Sequence, residues 1–188
     1  MASVESNLTA TIESQKEAQR AAKDAALDLV QMLVFRLASE EYVLDIMRVN
    51  EIIRSEAITP VRKAPEYVRG VIELRGSIVP ILDLRRRLEL PNRPSVITPY
   101  VIIVTVEGVV VGLEVDSVVE VVRIERGAIK PSPELTVEQG ETPFFLGICK
   151  QDHRLLMLLN IKRLVLSRDL VTPESWVGKA RLQREVNE

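Results

Sequence analysis

Catalysis needs reactive side chains at workable spacing, and this chain offers few of them. His153 is the only imidazole and Cys149 the only thiol. His153 falls in the turn-like string Gln151-Asp152-His153-Arg154 with no serine or cysteine beside it as a nucleophile, so it reads as a solvated turn histidine. Cys149 sits in an apolar run, where a small buried thiol is the ordinary outcome. One Cys and one His cannot assemble a zinc site, and a single thiol cannot close an intrachain disulfide. Carboxylates are scattered singly along strand-like and turn-like segments, without an acid/base pair. Neither a Walker loop nor a dinucleotide-binding glycine pattern is present, and Arg69-Gly70 and Arg75-Gly76 are too sparse to cradle a phosphate. Catalytic residues, cofactors and metals are therefore expected to be none, and the chain does not read as an enzyme.

Composition narrows the partners. Across 188 residues, 25 Lys plus Arg against 27 Asp plus Glu leave a formal charge of −2, so no strong field attracts nucleic acid or an anionic membrane. Aromatics are only 4%, which leaves few platforms for stacking bases. The basic run Arg85-Arg86-Arg87 follows Leu84, precedes Leu88 and is flanked by Asp83 and Glu89, which predicts the solvated face of a short helix. Residues 1–30 hold no apolar core of a secretory signal, and no stretch approaches the ~18 apolar residues of a membrane span. A reducing cytoplasm without direct membrane insertion is the expected location.

The elements that would position any binding residues are mostly strands. Ser3 to Leu29 lacks Gly and Pro and spaces Leu8, Ile12, Ala22, Ala26 and Leu29 as a helix. From Gln31 the texture changes to short β-branched runs: Met32–Leu37, Tyr42–Met47, Val49–Arg54, Tyr67–Leu74 and Ile78–Leu82. After the Pro-containing linker Leu90–Pro99 come Tyr100–Val106, Val109–Val115, Val118–Ile124, Leu146–Lys150 and Arg154–Leu159. Ser39-Glu40-Glu41, Arg75-Gly76-Ser77 and Glu107-Gly108 are hairpin turns, and Ala64-Pro65-Glu66 suggests one helical turn. Thr172-Pro173-Glu174 starts a short terminal helix through Trp176 and Leu182, with Trp176 either an anchor on the second barrel or a partner contact.

The two sets of strands resemble each other. Tyr42-Val43-Leu44-Asp45-Ile46 falls on Val111-Gly112-Leu113-Glu114-Val115, and the same offset sets Val49-Asn50-Glu51-Ile52-Ile53 on Val118-Val119-Glu120-Val121-Val122. Further on, Gly70-Val71-Ile72 meets Gly147-Ile148-Cys149, and Ile78 to Leu84 meets Leu155 to Ile161. The fold class that follows is all-β: two five-stranded barrels, sharing an apolar seam with a groove between them. Gly70 inside a strand marks either a barrel corner or a close approach to a partner. Arg75 has Asp152 as its counterpart whereas Glu51 keeps Glu120, so a Glu51–Arg75 pair is expected in the first barrel alone. It either shapes a binding surface or is an exposed turn pair of little energetic consequence.

The strings Glu41-Tyr42-Val43-Leu44-Asp45-Ile46, Val49-Asn50-Glu51-Ile52-Ile53 and, above all, Gly70-Val71-Ile72-Glu73-Leu74-Arg75-Gly76-Ser77-Ile78-Val79-Pro80-Ile81-Leu82-Asp83-Leu84 closely resemble the CheW family of bacterial chemotaxis coupling proteins. The likeness runs from about Gln31 to Ser167. It implies two SH3-like barrels, the first at about 31–90 and the second at about 100–160, between an N-terminal helical extension (1–30) and a C-terminal helical tail (168–188). It further implies a non-catalytic adaptor that links the cytoplasmic tips of chemoreceptors to the regulatory domain of a CheA-type histidine kinase, at membrane-associated receptor arrays. Carried over position by position, the receptor-facing residues are Val49, Glu51, Gly70, Arg75, Val101 and Val118, with the kinase contact placed only loosely on the second barrel. A small-barrel nucleic-acid binder or another regulatory interaction module is the alternative.

Overall fold

The computed structural model describes residues 28–55, 58–62, 64–92, 94, 98–131 and 144–166. The Trp176 tail and nearly all of the expected N-terminal helix lie outside them. Leu29, placed by its spacing at the end of that helix, instead opens the first strand.

The chain forms β1 (Leu29–Leu37), β2 (Glu40–Asp45), a 3-10 turn (Ile46–Arg48), β3 (Val49–Arg54), β4 (Val68–Leu74), β5 (Ser77–Asp83) and helix α1 (Leu84–Arg87). The same series then repeats as β6 (Tyr100–Val106), β7 (Val109–Val115), β8 (Ser117–Glu125), a 3-10 turn (Arg126–Ala128), β9 (Phe145–Gln151), β10 (Arg154–Leu159) and helix α2 (Ile161–Val165). Two-residue turns at Arg75-Gly76, Glu107-Gly108 and Asp152-His153 have both residues at positive φ, the twist that tight hairpins favour. Ala64-Pro65-Glu66 forms a turn rather than a helix, with the Val68 amide donating to the Pro65 carbonyl at 2.9 Å.

Two five-stranded sheets result, ordered β8-β1-β2-β10-β9 and β3-β6-β7-β5-β4. This corrects the expected division into contiguous halves at about 31–90 and 100–160. Each barrel takes its first two strands from one repeat and its last three from the other. The repeat is nevertheless real: the parallel pairing of Leu158 with Val43 is reproduced by Ile81 with Gly112, at the offsets read from sequence. Just past β3, Thr59 bridges to Val71 on β4 at the opposite edge of the sheet; Lys130 and Ile148 do the same in the other sheet, so both sheets close into barrels.

The alternation of side chains explains why β1 and β6 are apolar almost throughout. Met32 and Val34 fill one barrel, while Leu33, Phe35 and Leu37 face the other way into a core shared between the barrels. On β6, Val101 and Ile103 fill the second barrel while Ile102, Val104 and Val106 enter the shared core. A strand buried on both faces has no polar register to keep.

Candidate partner-binding groove

The seam between the barrels reaches solvent along β3 and β8, which are edge strands of the two sheets. Ile52 pairs with Ile102 and Val121 with Leu33, so both lie on the seam face of their sheets. Yet Ile52 is 38% exposed and Val121 is 50% exposed. Val49 and Val118, equivalent positions of the repeat, pack against the shared core and are half-buried. A bulge follows each of them, at Asn50 and Val119, and leaves Val119 partly in solvent as well. The seam therefore ends in an apolar margin contributed by both barrels.

The bulges turn Glu51 and Glu120 onto the barrel-interior faces of their strands, opposite Ile103 and Val34. Arg75, projecting from the β4–β5 turn, donates to Glu51 Oε2 at 3.0 Å, as expected. The pair is not confined to one barrel, however. Arg154, at the start of β10, donates to Glu120 Oε1 at 2.6 Å and to Glu41 Oε2 at 3.3 Å. The Glu120 hydrogen bond also raises the Arg154 pKa above the usual arginine range, against a smaller opposing effect of desolvation. Direct alignment set Asp152 against Arg75 and missed this, because Arg154 reaches the same acid from the other side of its turn.

Two of the expected receptor-facing positions present no side chain to a partner. Val101 is 1% exposed within its barrel. Gly70 is buried at φ +147°, and a Cβ there would lie 2.2 Å from the Thr59 carbonyl oxygen. Gly147 meets the Lys130 carbonyl in the equivalent way, at 2.6 Å. Both glycines permit the close approach that closes a barrel, which places Gly70 at a barrel corner. Val49, Glu51, Arg75 and Val118 retain surface. Ile52, Val119 and Val121 were not singled out from sequence, although apolar residues on the outer register of an edge strand were the available signal.

The basic run also departs from expectation. Arg86 is exposed and donates to the Glu66 carbonyl, but Arg85 is buried. Its Nε lies 2.9 and 3.0 Å from the Asp116 carboxylate oxygens, its Nη2 also donates to Asp116, and its Nη1 donates to the Pro91 carbonyl at 2.6 Å. Asp116 accepts from the Ala38 amide at 2.7 Å too. It is the single residue by which the chain passes from β7 in one barrel to β8 in the other. Arg87 lies over the rings of Tyr67 and Phe144, which begin equivalent segments of the two repeats.

Reactive groups are quiet. Cys149 is buried, and desolvation pushes its pKa up. His153 is exposed in its turn. Among the described residues, no cluster of His, Cys, Asp and Glu is placed to hold a metal ion, and no helix is long and apolar enough to cross a membrane.

A family model described as CheW-like domain matches residues 31–169. The chain belongs to the CheW-like family. Among curated relatives, the chemotaxis protein CheW of Klebsiella aerogenes is 34% identical over 140 residues, 74% of this chain and 84% of that protein. The chemotaxis protein CheW of Helicobacter pylori is 29% identical over 154 residues, 81% of this chain and 92% of its own. The crystal structure of scaffolding protein TtCheW from Thermoanaerobacter tengcongensis superposes with a TM-score of 0.68 at 34% identity, covering 77% of this chain and 97% of that one. This CheW-like protein is thus a chemotaxis adaptor, a non-catalytic scaffold built on two five-stranded barrels.

Proposed function

We propose that this CheW-like protein couples chemoreceptors to a CheA-type histidine kinase, receiving the helical tip of the receptor in the groove between the barrels. The observation that carries this reading is the apolar margin of Val49, Ile52, Val118 and Val121, supplied by both barrels where their shared core opens to solvent. Such a margin suits the helix-in-groove mode, in which an amphipathic helix lays its apolar face onto waiting side chains. Glu51 and Glu120 sit on the same two edge strands, each paired with an arginine of its own barrel, so charge pairs accompany the apolar residues on both sides. The kinase regulatory domain is taken to dock barrel against barrel, leaving the groove open. On this reading the protein works in the cytoplasm, recruited to membrane-associated receptor arrays.

The test is assembly. A receptor cytoplasmic fragment and a kinase regulatory domain should each be captured by the full chain, and kinase output should change only when all three are mixed. Val121→Asp and Ile52→Asp should each weaken receptor capture while sparing kinase capture. Reversing Glu51 and Arg75 singly should weaken receptor capture, with partial recovery when both are reversed. Failure to capture either partner refutes the coupling role. An unchanged affinity in the groove variants places the receptor elsewhere.

A further inference from the structure

The two bulges that shape the groove also decide its charge. Val49 and Val118 pack against the shared core; past each bulge, Glu51 and Glu120 fall on the barrel-interior faces and Ile52 and Val121 on the seam face. One more step of alternation brings Arg54, opposite Tyr100, and Arg123, opposite Gln31, to that same seam face. The arginines are equivalent positions of the repeat, since the offset that sets Ile53 on Val122 sets Arg54 on Arg123. Both are exposed. Arg54 lies over the ring of Tyr100, 4.7 Å from its centroid, and Tyr100 itself packs against the shared core. The seam face therefore carries one cation from each barrel directly beyond the apolar margin, while the nearest acids of the same strands are turned away from it. Glu125 follows on this face, two residues beyond Arg123 and farther from the margin.

We infer that the groove selects a helix whose apolar stripe is flanked by carboxylates, and that Arg54 and Arg123 are the residues that read those carboxylates. The inference rests on the coupling role proposed above and names the chemistry of the receptor segment. Sign, side-chain type and spacing choose this occupant. A charge that only deters strand addition at a sheet edge serves with either sign; here both barrels place an arginine at the same repeat position. A guanidinium offers a planar fork of donors that matches a carboxylate, and the ring beneath Arg54 engages the face of that fork and not its N–H edge. Arg54 lies ~6.6 Å along the strand from Ile52, as Arg123 does from Val121, and one helical turn is ~5.4 Å. A helix lying along either strand that seats an apolar side chain on Ile52 or Val121 thus brings a residue about one turn away to the arginine. At the rim of the groove these cations act mainly on encounter, and a helix flanked by lysines meets like charge at both positions.

The test follows association of a receptor cytoplasmic fragment with the full chain at about 0.05 M and about 0.5 M salt, where screening is weak and strong. Arg54→Glu and Arg123→Glu should each slow association roughly three- to ten-fold at low salt, the double variant more than either, with the difference shrinking below about two-fold at high salt. Replacing both arginines by lysine should keep most of the salt dependence, and kinase capture should be unchanged throughout. Ile52→Asp should weaken receptor capture at both salts, which separates the apolar contact from the charges. Native behaviour of the arginine variants alongside a defective Ile52→Asp overturns the inference and leaves the coupling role standing. Loss of kinase capture in the arginine variants, with receptor capture intact, reassigns both residues and overturns it too. If neither the arginine variants nor Ile52→Asp change receptor capture, the receptor lies elsewhere and both readings of the groove fail together.

Discussion

Asp116→Ala should be among the most damaging single substitutions in this protein, because of what it strands. Arg85 and Asp116 side chains are only 6% and 7% exposed, and Asp116 satisfies three groups: Arg85 Nε, Arg85 Nη2 and the Ala38 amide. Truncating the carboxylate leaves a buried guanidinium whose remaining partner in this network is the Pro91 carbonyl. Breaking one side of a buried ion pair costs about 3–5 kcal/mol, against a total stability on the order of 5–15 kcal/mol. For a chain of this length each kcal/mol lowers the melting temperature by roughly 2–4 °C, so a fall of about 6–20 °C is expected. Urea unfolding followed by circular dichroism should give the same loss through the midpoint with an unchanged slope. Removing the cation as well, in Arg85→Met with Asp116→Leu, should recover the share of the loss owed to the stranded guanidinium, while the Ala38 amide, left without its acceptor, keeps the remainder. A loss under about 1 kcal/mol for Asp116→Ala, or no recovery in the double variant, would refute the claim that this pair is buried and coupled.

Gly70→Ala should cost more than Gly147→Ala: the former meets a backbone oxygen at 2.2 Å and carries a positive φ, the latter meets one at 2.6 Å without that strain. Overpacking and backbone strain each contribute about 1–3 kcal/mol, so chemical denaturation should rank the two clearly. For the same reason Gly70→Asp should disturb the fold itself, and weakened partner binding in that variant would not identify a contact. Tyr42 is buried and donates to Glu40 Oε2 at 2.6 Å, and burial raises its pKa well above the phenol range. Its neutral form is favoured by the fold, so its contribution is complete below pH ~10 and is lost as pH rises above that; Tyr42→Phe should flatten this alkaline decline relative to the native protein. Cys149, buried with a raised pKa, should react with a thiol reagent only as fast as the barrel opens, and addition of denaturant below the unfolding midpoint should accelerate it.

The strands were legible because β-branched runs bounded by turn residues admit few other readings, and Val49–Arg54, Tyr100–Val106, Val109–Val115 and Arg154–Leu159 have the bounds that the sequence predicts. The exchange of strands between barrels was not legible. Apolar alternation states which face of a strand is buried but not against which neighbour, and β1 and β6 are apolar on both faces. Arg85 was misread for a related reason. A short helix spaces Arg85, Arg86 and Arg87 around its circumference, so neighbours in sequence face different environments, and Asp116 lies 31 residues away. Glu51–Arg75 could be proposed because the β4–β5 turn limits where Arg75 can reach. Ile52 and Val121 escaped notice because identical residues in a central strand would be core.

The exchange has a consequence for a scaffold. The chain crosses between barrels at Ile46–Arg48 and again at Asp116, and neither barrel is complete without strands from both repeats. Ordinary tandem domains can rock about a linker; here the shared core and the two crossings oppose it, so β3 and β8 are held at a fixed separation. Cutting the chain within the Leu90–Pro99 linker tests this directly. The N-terminal fragment would hold β1 and β2 without β8 and β10, and β3 to β5 without β6 and β7, so neither fragment should melt cooperatively as a monomer. Mixing the two should restore the native circular dichroism spectrum and one shared transition, since every missing pairing is supplied by the other fragment. A monomeric N-terminal fragment with its own cooperative transition would mean that contiguous halves can form barrels, and that the groove is a hinge between independent units.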